Sequence, residues 1–408
     1  MQANHLTRHM VGRLGITEIV SWGSIYYAIS LLAPDIQREL GWRAETVYGA
    51  FSWSLLVAGL LATPAGVLID RIGGRIMMSI GSVTAGCGLV LLAKTNSAAT
   101  YYGAWTLLGA AMALTLYDAA FATVNREILG DSRKTISALT LFGGFASTVF
   151  WPLTLQVNGA VGWRDTYFLY GLVHFLLCLP LHLLLPVRRK EASAPRAAGD
   201  GNYTLREALR HPAFWKLAFA FASNSFIFAA LSVHLIPILH WFGHPMAAAV
   251  AFAALIGPMQ VAGRIGEMVF ARRARPQTAG SVTFAILPAA LLGFILLGSQ
   301  QWMAAFFCSL YGMSNGILTI VRGTVPQALF GRENYGAITG ALAGPALLAK
   351  AAGPLTLAVF LHASSDWRIA LAAMLLLALA SLACYLAAVR AEQGAAAQTL
   401  QREPGTTR

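Results

Sequence analysis

Apolar residues in this chain come in unbroken blocks, with neither the alternation of a half-buried strand nor the narrow stripe of a surface helix. A helix that crosses the hydrocarbon core of a bilayer needs about 20 mostly apolar residues. The uncharged stretches 46–69, 76–93, 95–117, 136–163 and 166–187 each suit one crossing. Residues 217–263 and 276–321 contain no Asp, Glu, Lys or Arg and are long enough for two each. Turn formers divide them, Gly243-His244-Pro245 in the first and Gly298-Ser299-Gln300-Gln301 in the second. With 14–34, 335–360 and 367–389 added, the pattern predicts twelve spans. They fall near 14–34, 46–69, 76–94, 99–124, 136–159, 166–187, 213–240, 247–271, 279–298, 302–326, 336–360 and 367–389.

Composition agrees. Of 408 residues, 57% are hydrophobic and 11% charged, with a mean hydropathy of +0.62. Soluble proteins carry about 25% charged residues, so a water-soluble enzyme is excluded. The net charge of +12 implies no nucleic-acid partner, because Lys and Arg gather in the cytoplasmic loops of membrane proteins. With the N-terminus inside, 20 cations fall on the cytoplasmic side and 5 on the other. Both termini are therefore expected in the cytoplasm of a multi-pass protein of the inner or plasma membrane. The first apolar segment is too long for a signal peptide and lacks a cleavage site. Cys87, Cys178, Cys308 and Cys384 fall in four different spans without metal-ligand spacing, so no metal or cofactor is expected.

The longest polar stretch, 188–211, has six spans on either side. The expected plan is an N-terminal bundle over 1–187, a cytoplasmic linker over 188–211, a C-terminal bundle over 212–390 and a disordered tail over 391–408. The halves repeat at an offset of about 202: Pro34 with Pro237, Gly130 with Gly331, and Gly162-Trp163-Arg164 with Asp366-Trp367-Arg368. Parallel repeats of this kind mark transporters whose halves rock about a site near the midplane. The fold class is an all-α membrane protein of two pseudo-symmetric six-helix bundles.

After the second span comes Gly66-Val67-Leu68-Ile69-Asp70-Arg71-Ile72-Gly73-Gly74-Arg75. It resembles the Gly-x-Leu-x-Asp-Arg-x-Gly-x-Arg signature of the major facilitator superfamily. In that family the element is similar to a cytoplasmic gate latch, which makes Gly66, Asp70, Arg71, Gly73 and Arg75 the gating motif. In the second half the Asp position is Arg272, a degenerate copy. Trp22-Gly23-Ser24-Ile25-Tyr26-Tyr27, Gly162-Trp163-Arg164-Asp165 and Thr204-Leu205-Arg206-Glu207 look like the monocarboxylate and oxalate/formate porter branch. The Asp-Gly-Gly-Trp-Gly-Trp-like opening of the animal lactate carriers is absent, with Ser21-Trp22-Gly23-Ser24 in its place.

Ionisable groups inside a span cost about 2.5–3.5 kcal/mol or more, so each is a functional candidate. This chain has Glu18, Asp118 and Glu267 against Arg264, Arg322 and Lys350. The resemblance implies that Arg264 in the eighth span and Lys350 in the eleventh receive substrate carboxylates. Their chemistry suits this: a guanidinium binds a carboxylate bidentately and an ammonium adds a point charge. Arg322, Tyr26, Tyr117, Asn224, His234, Tyr311 and Asn315 are further substrate-binding candidates, and Asp118 and Glu18 are candidates for coupling. Glu18 is placed near the cytoplasmic end of its span, within snorkelling reach of water. His174 and His182 are expected to face lipid or scaffold. The expected function is secondary transport of a small mono- or dicarboxylate by alternating access, as proton symporter or anion antiporter. The alternative is an exporter of drugs or toxic compounds such as arsenicals. The expected partners are the small anion, protons and the lipid bilayer, with the protein a monomer and not an enzyme.

Overall fold

The computed structural model describes residues 2–128, 132–187, 202–270, 274–364 and 367–402. All regular structure among them is helical. The helices long and apolar enough to cross a membrane are α1 (Arg8–Leu40), α2 (Ala44–Ile72), α3 (Gly74–Ala93), α4 (Ala98–Glu127), a segment Ser132–Leu183, α7 (Pro212–Trp241), α8 (Met246–Phe270), α9 (Pro276–Leu297), α10 (Gln301–Phe330), α11 (Tyr335–Phe360) and α12 (Trp367–Arg390). The segment Ser132–Leu183 has 52 residues, about 78 Å at 1.5 Å per residue, too long for one crossing. It turns back at Gly162, whose φ of 81° and ψ of 170° leave the helix in a region essentially reserved for glycine. The two arms are α5 (132–161) and α6 (163–183). The twelve expected spans are therefore present.

The chain divides into two units, Met1–Asn202 with Arg332–Ala351, and Tyr203–Gly331 with Ala352–Arg408. The first half of α11 thus groups with α1–α6, although sequence places it in the C-terminal bundle. The cause is a run of glycines. A Cβ on Gly66 would lie 1.9 Å from the Gly336 carbonyl oxygen, and one on Gly340 would lie 2.2 Å from that of Ala62. Only glycine allows such approach of two helix backbones.

In the first unit Trp105, Tyr101 and Tyr167 are fully buried among α1–α6. In the second, Phe294 stacks on Phe307 at 4.2 Å and Phe284 on Tyr385 at 4.4 Å. Large apolar residues cover the outside: Leu60, Leu176, Leu296, Leu355 and Leu376 are all more than 60% exposed. Such a surface belongs in lipid, where helices satisfy their own backbone groups.

Helix continues past Arg390 to Arg402, where a disordered tail was expected. Residues 391–402 are rich in Ala and Gln, which are good helix formers. Most of the expected linker, together with Gly130 and Arg272, lies outside the described residues.

Candidate functional site

The Gly66–Arg75 motif is built at the α2–α3 corner. Gly73 ends α2 with a φ of 99°, its N–H returning to the Ile69 carbonyl at 2.9 Å. Gly74 opens α3 so tightly against Thr123 that an added Cβ would lie 1.9 Å from Thr123 Oγ1. Arg126 from α4 donates to the carbonyls of Ile69 and Asp70 at 2.6 and 2.7 Å. Asp70 accepts from the backbone N–H groups of Gly336 at 3.0 Å and Ala337 at 2.7 Å. Its carboxylate thus caps the start of α11, where helix N–H groups are unpaired and the dipole is positive. Arg332 Nε meanwhile donates to the Asn125 carbonyl at 2.7 Å. Hydrogen bonds to a charged group contribute about 1.5–3 kcal/mol each. Asp70→Ala should therefore lower the thermal stability of the purified protein by a few kcal/mol, with Asp70→Asn falling between it and the parent. Equal melting of all three would remove the cap from the account.

The second constellation surrounds α1 where it changes geometry. A π-helical turn occupies Trp22–Tyr27, and π turns recur at functional sites. Trp22 meets Tyr26 at 5.0 Å and Tyr117 at 5.1 Å between ring centroids, and Tyr26 meets Phe51 at 5.2 Å. Lys350 Nζ lies 4.4 Å from the Tyr26 ring centroid and 5.8 Å from that of Trp22. Trp22 Nε1 also donates to Glu18 Oε2 at 3.0 Å. Glu18 is 0% exposed, so its carboxyl is enclosed by protein. α4 breaks just beside this group: Leu116 takes an extended conformation (φ −87°, ψ −175°), and Tyr117 and Asp118 open the next helical stretch. Tyr117 donates to the Thr140 carbonyl at 3.2 Å, and Asp118 is half-buried.

In the second unit Arg264 is buried, 5% exposed, and its Nε has no partner among the described residues. Glycines again set the backbone. A Cβ on Gly263 would meet the Met313 carbonyl at 2.6 Å, and one on Gly316 that of Gln260 at 2.2 Å, so α8 and α10 lie in direct contact. Glu267, also buried, follows one turn later. Asn224 is a tie between helices, with its amide donating to Ser381 Oγ at 2.6 Å and to the Ala220 carbonyl at 3.2 Å. Tyr311 donates to the Phe228 carbonyl at 2.8 Å, and His234 Nε2 lies 3.1 Å from that of Pro354. Asn315 and Arg322 are half-buried.

The structure thus brings Glu18, Tyr26, Tyr117 and Lys350 together around Trp22. It gives Asn224, Tyr311 and His234 bonds that hold helices. Sequence reading passed over Trp22 as a site residue, and it set aside His174 and His182, which are both 0% exposed and hydrogen-bonded. The signal available was two histidines eight apart in a span without charges. No group of three or more metal-ligating side chains occurs among the described residues.

Membrane-crossing helices in two units, with ionisable side chains and broken helices among them, define a multi-pass membrane protein. The sequence matches the Major Facilitator Superfamily over residues 14–354, and the chain belongs to that family. It is 26% identical to the oxalate:formate antiporter of Oxalobacter formigenes over 50% of this chain and 48% of that protein. It is 25% identical to the transporter YhjX of Escherichia coli over 71% of this chain and 74% of that one. A match to mouse monocarboxylate transporter 6, at 25% identity, covers 41% of this chain and 36% of the relative. The chain spans about half the length of the first of these curated relatives. Among solved structures, the fucose:proton symporter FucP of E. coli superposes with a TM-score of 0.70 at 13% identity, covering 93% of this chain and 98% of that one. The human organic anion transporter MFSD10 gives 0.63 at 16%, covering 93% and 97%.

Proposed function

We propose that this protein moves a small organic anion, a mono- or dicarboxylate, with Lys350 and Arg264 as the cations that receive it. The observation that carries this reading is the ammonium of Lys350, held within the membrane-spanning part of the molecule over the rings of Tyr26 and Trp22. A half-buried cation facing aromatic walls suits an acid with a compact carboxylate and little apolar bulk. Arg264 supports it: a buried guanidinium with an unused donor can take a carboxylate bidentately. The relatives named for oxalate, formate and monocarboxylates agree in substrate class. Asp70, Arg71, Gly66, Gly73 and Arg75 form the latch of the alternating-access cycle, and Glu18 with Asp118 couples it to protons.

The test is uptake of labelled formate, oxalate and lactate by proteoliposomes, with and without a pH gradient or a second acid inside. Saturable uptake of at least one acid is the expected result. Failure of every acid, with drug or arsenical efflux in the same vesicles, would replace the carboxylate reading with export.

A further inference from the structure

The motif Thr204-Leu205-Arg206-Glu207 folds into a short helix, Leu205–Arg210, just ahead of α7. A capping box closes its start. Thr204 Oγ1 accepts from the Glu207 N–H at 3.2 Å, and the Glu207 carboxylate accepts from the Thr204 N–H at 2.7 Å. Tyr203 moors the segment: its N–H donates to the Phe330 carbonyl at 2.9 Å, and its ring lies 5.7 Å from those of Phe330 and His211. Ala208 is 0% exposed and marks the side turned to the protein. At about 100° per residue, Arg206 and Arg210 lie on the opposite side with Leu209 beside them, and all three are exposed.

Trp215, in the first turn of α7, is tied to this helix. Its Nε1 donates to the Leu209 carbonyl at 2.8 Å, which occupies its one polar atom, and 58% of the residue stays exposed. An exposed indole on a membrane-crossing helix belongs at the level of the lipid headgroups. Trp241, 40% exposed, repeats the arrangement at the far end of α7. From one indole to the other the helix rises about 39 Å at 1.5 Å per residue, against about 40–45 Å for a bilayer with its interfaces. The uncharged stretch 217–263 begins directly after Lys216. Arg206, Arg210 and Lys216 meet no acidic side chain among the described residues, and Glu207, the one acid in 203–216, is turned back on Thr204. Unneutralised cations around an indole at headgroup depth call for an anion, and the anion fixed at that depth is a lipid phosphate.

We propose that Arg206, Leu209, Arg210, Trp215 and Lys216 form a binding site for the headgroup of an anionic phospholipid. The two guanidiniums, one turn apart, take the phosphate oxygens through paired N–H donors. Leu209 and Trp215 pack against the upper part of the acyl chains, and Lys216 adds its charge to the field. A zwitterionic lipid fits less well, because its own ammonium already neutralises its phosphate. The site stands on the charge and placement of these five residues and does not rest on the anion-transport reading.

The test uses the full-length protein, delipidated in detergent, with phosphatidylglycerol and phosphatidylcholine as probes. Native mass spectrometry gives the dissociation constant of the first bound lipid, which should favour phosphatidylglycerol. A basic residue beside an anionic lipid contributes about fivefold in affinity. Arg206→Gln combined with Arg210→Gln should therefore weaken phosphatidylglycerol about twenty-five-fold and leave phosphatidylcholine close to the parent. Lys94→Gln, which removes another exposed cation, should keep the preference. Phosphatidylglycerol brominated near the top of its chains should quench Trp215. Trp215→Phe and the double arginine variant should then lose the same share of the quenching. Equal affinity of the parent for the two lipids, or a preference that survives in the double variant, overturns the proposal. Displacement of the lipid by glycerol phosphate in solution would give the face to a soluble anion and overturns it as well.

Discussion

Lys350→Met abolishes carboxylate uptake by proteoliposomes and leaves the melting temperature of the purified protein close to that of the parent. Two magnitudes separate these effects. An ammonium and a carboxylate 4 Å apart attract by about 4 kcal/mol at the effective dielectric constant of about 20 typical of proteins. Losing that attraction lowers affinity by roughly a thousandfold. The contact that Lys350 makes with Tyr26 and Trp22 in the absence of anion is a cation over ring faces, worth about 0.5–1 kcal/mol at a partly exposed position. Function therefore falls much further than stability. Lys350→Arg should recover part of the uptake with altered preference between mono- and dicarboxylates, because a planar fork replaces a point charge. A Met variant that binds formate or oxalate as tightly as the parent would detach Lys350 from the substrate.

Gly66→Ala separates α2 from the start of α11, whereas Gly59→Ala does not. The added methyl at Gly66 would stand 1.9 Å from a backbone oxygen of Gly336; at Gly59 the nearest atoms are 3.3 Å away, in Gly344 and Leu347. At 3.3 Å the neighbours need give by only a few tenths of an ångström, whereas at 1.9 Å from a backbone carbonyl the two helices must part. Overpacking costs about 1–3 kcal/mol even where side chains adjust, and the Gly66 variant has no such adjustment. It should also strain the Asp70 cap on Gly336 and Ala337, which depends on the same approach. The melting temperature of the purified variants reads the strain: lowered in Gly66→Ala, close to the parent in Gly59→Ala. Equal melting of the two variants would refute the seam.

The number and order of the spans were legible because a bilayer imposes one rule on every helix, a minimum apolar length. The corner at Gly162 was legible as well, through Trp163-Arg164, which recurs as Trp367-Arg368 at the start of α12. The grouping of α11 with the first unit was not. Its signal, Gly336-x-x-x-Gly340-x-x-x-Gly344, lay in plain view, but a glycine repeat says that a helix will be approached closely without saying by which neighbour. Lys350 and Glu18 stood out as ions in spans, yet nothing in the residue order places either against Trp22. That meeting depends on the π turn in α1 and on the angle of α11, both tertiary outcomes. His174 was hidden for the opposite reason. A neutral imidazole is compatible with lipid or scaffold alike, and its burial against Ser24 is a tertiary outcome.

The π turn at Trp22–Tyr27 has one more effect. It holds an extra residue relative to an α turn, so the stretches of α1 on either side of it are indexed one residue out of step. Moving that extra residue along the helix would turn one stretch against the other by about 100° while most backbone hydrogen bonds are merely exchanged. Glu18 stands on one side of the turn and Tyr26 within it, and α6 carries the same surplus at His174–Cys178. A shift of both surpluses would turn the two helices in place, as a pair of meshed gears with a spare tooth each, without sliding them through the membrane.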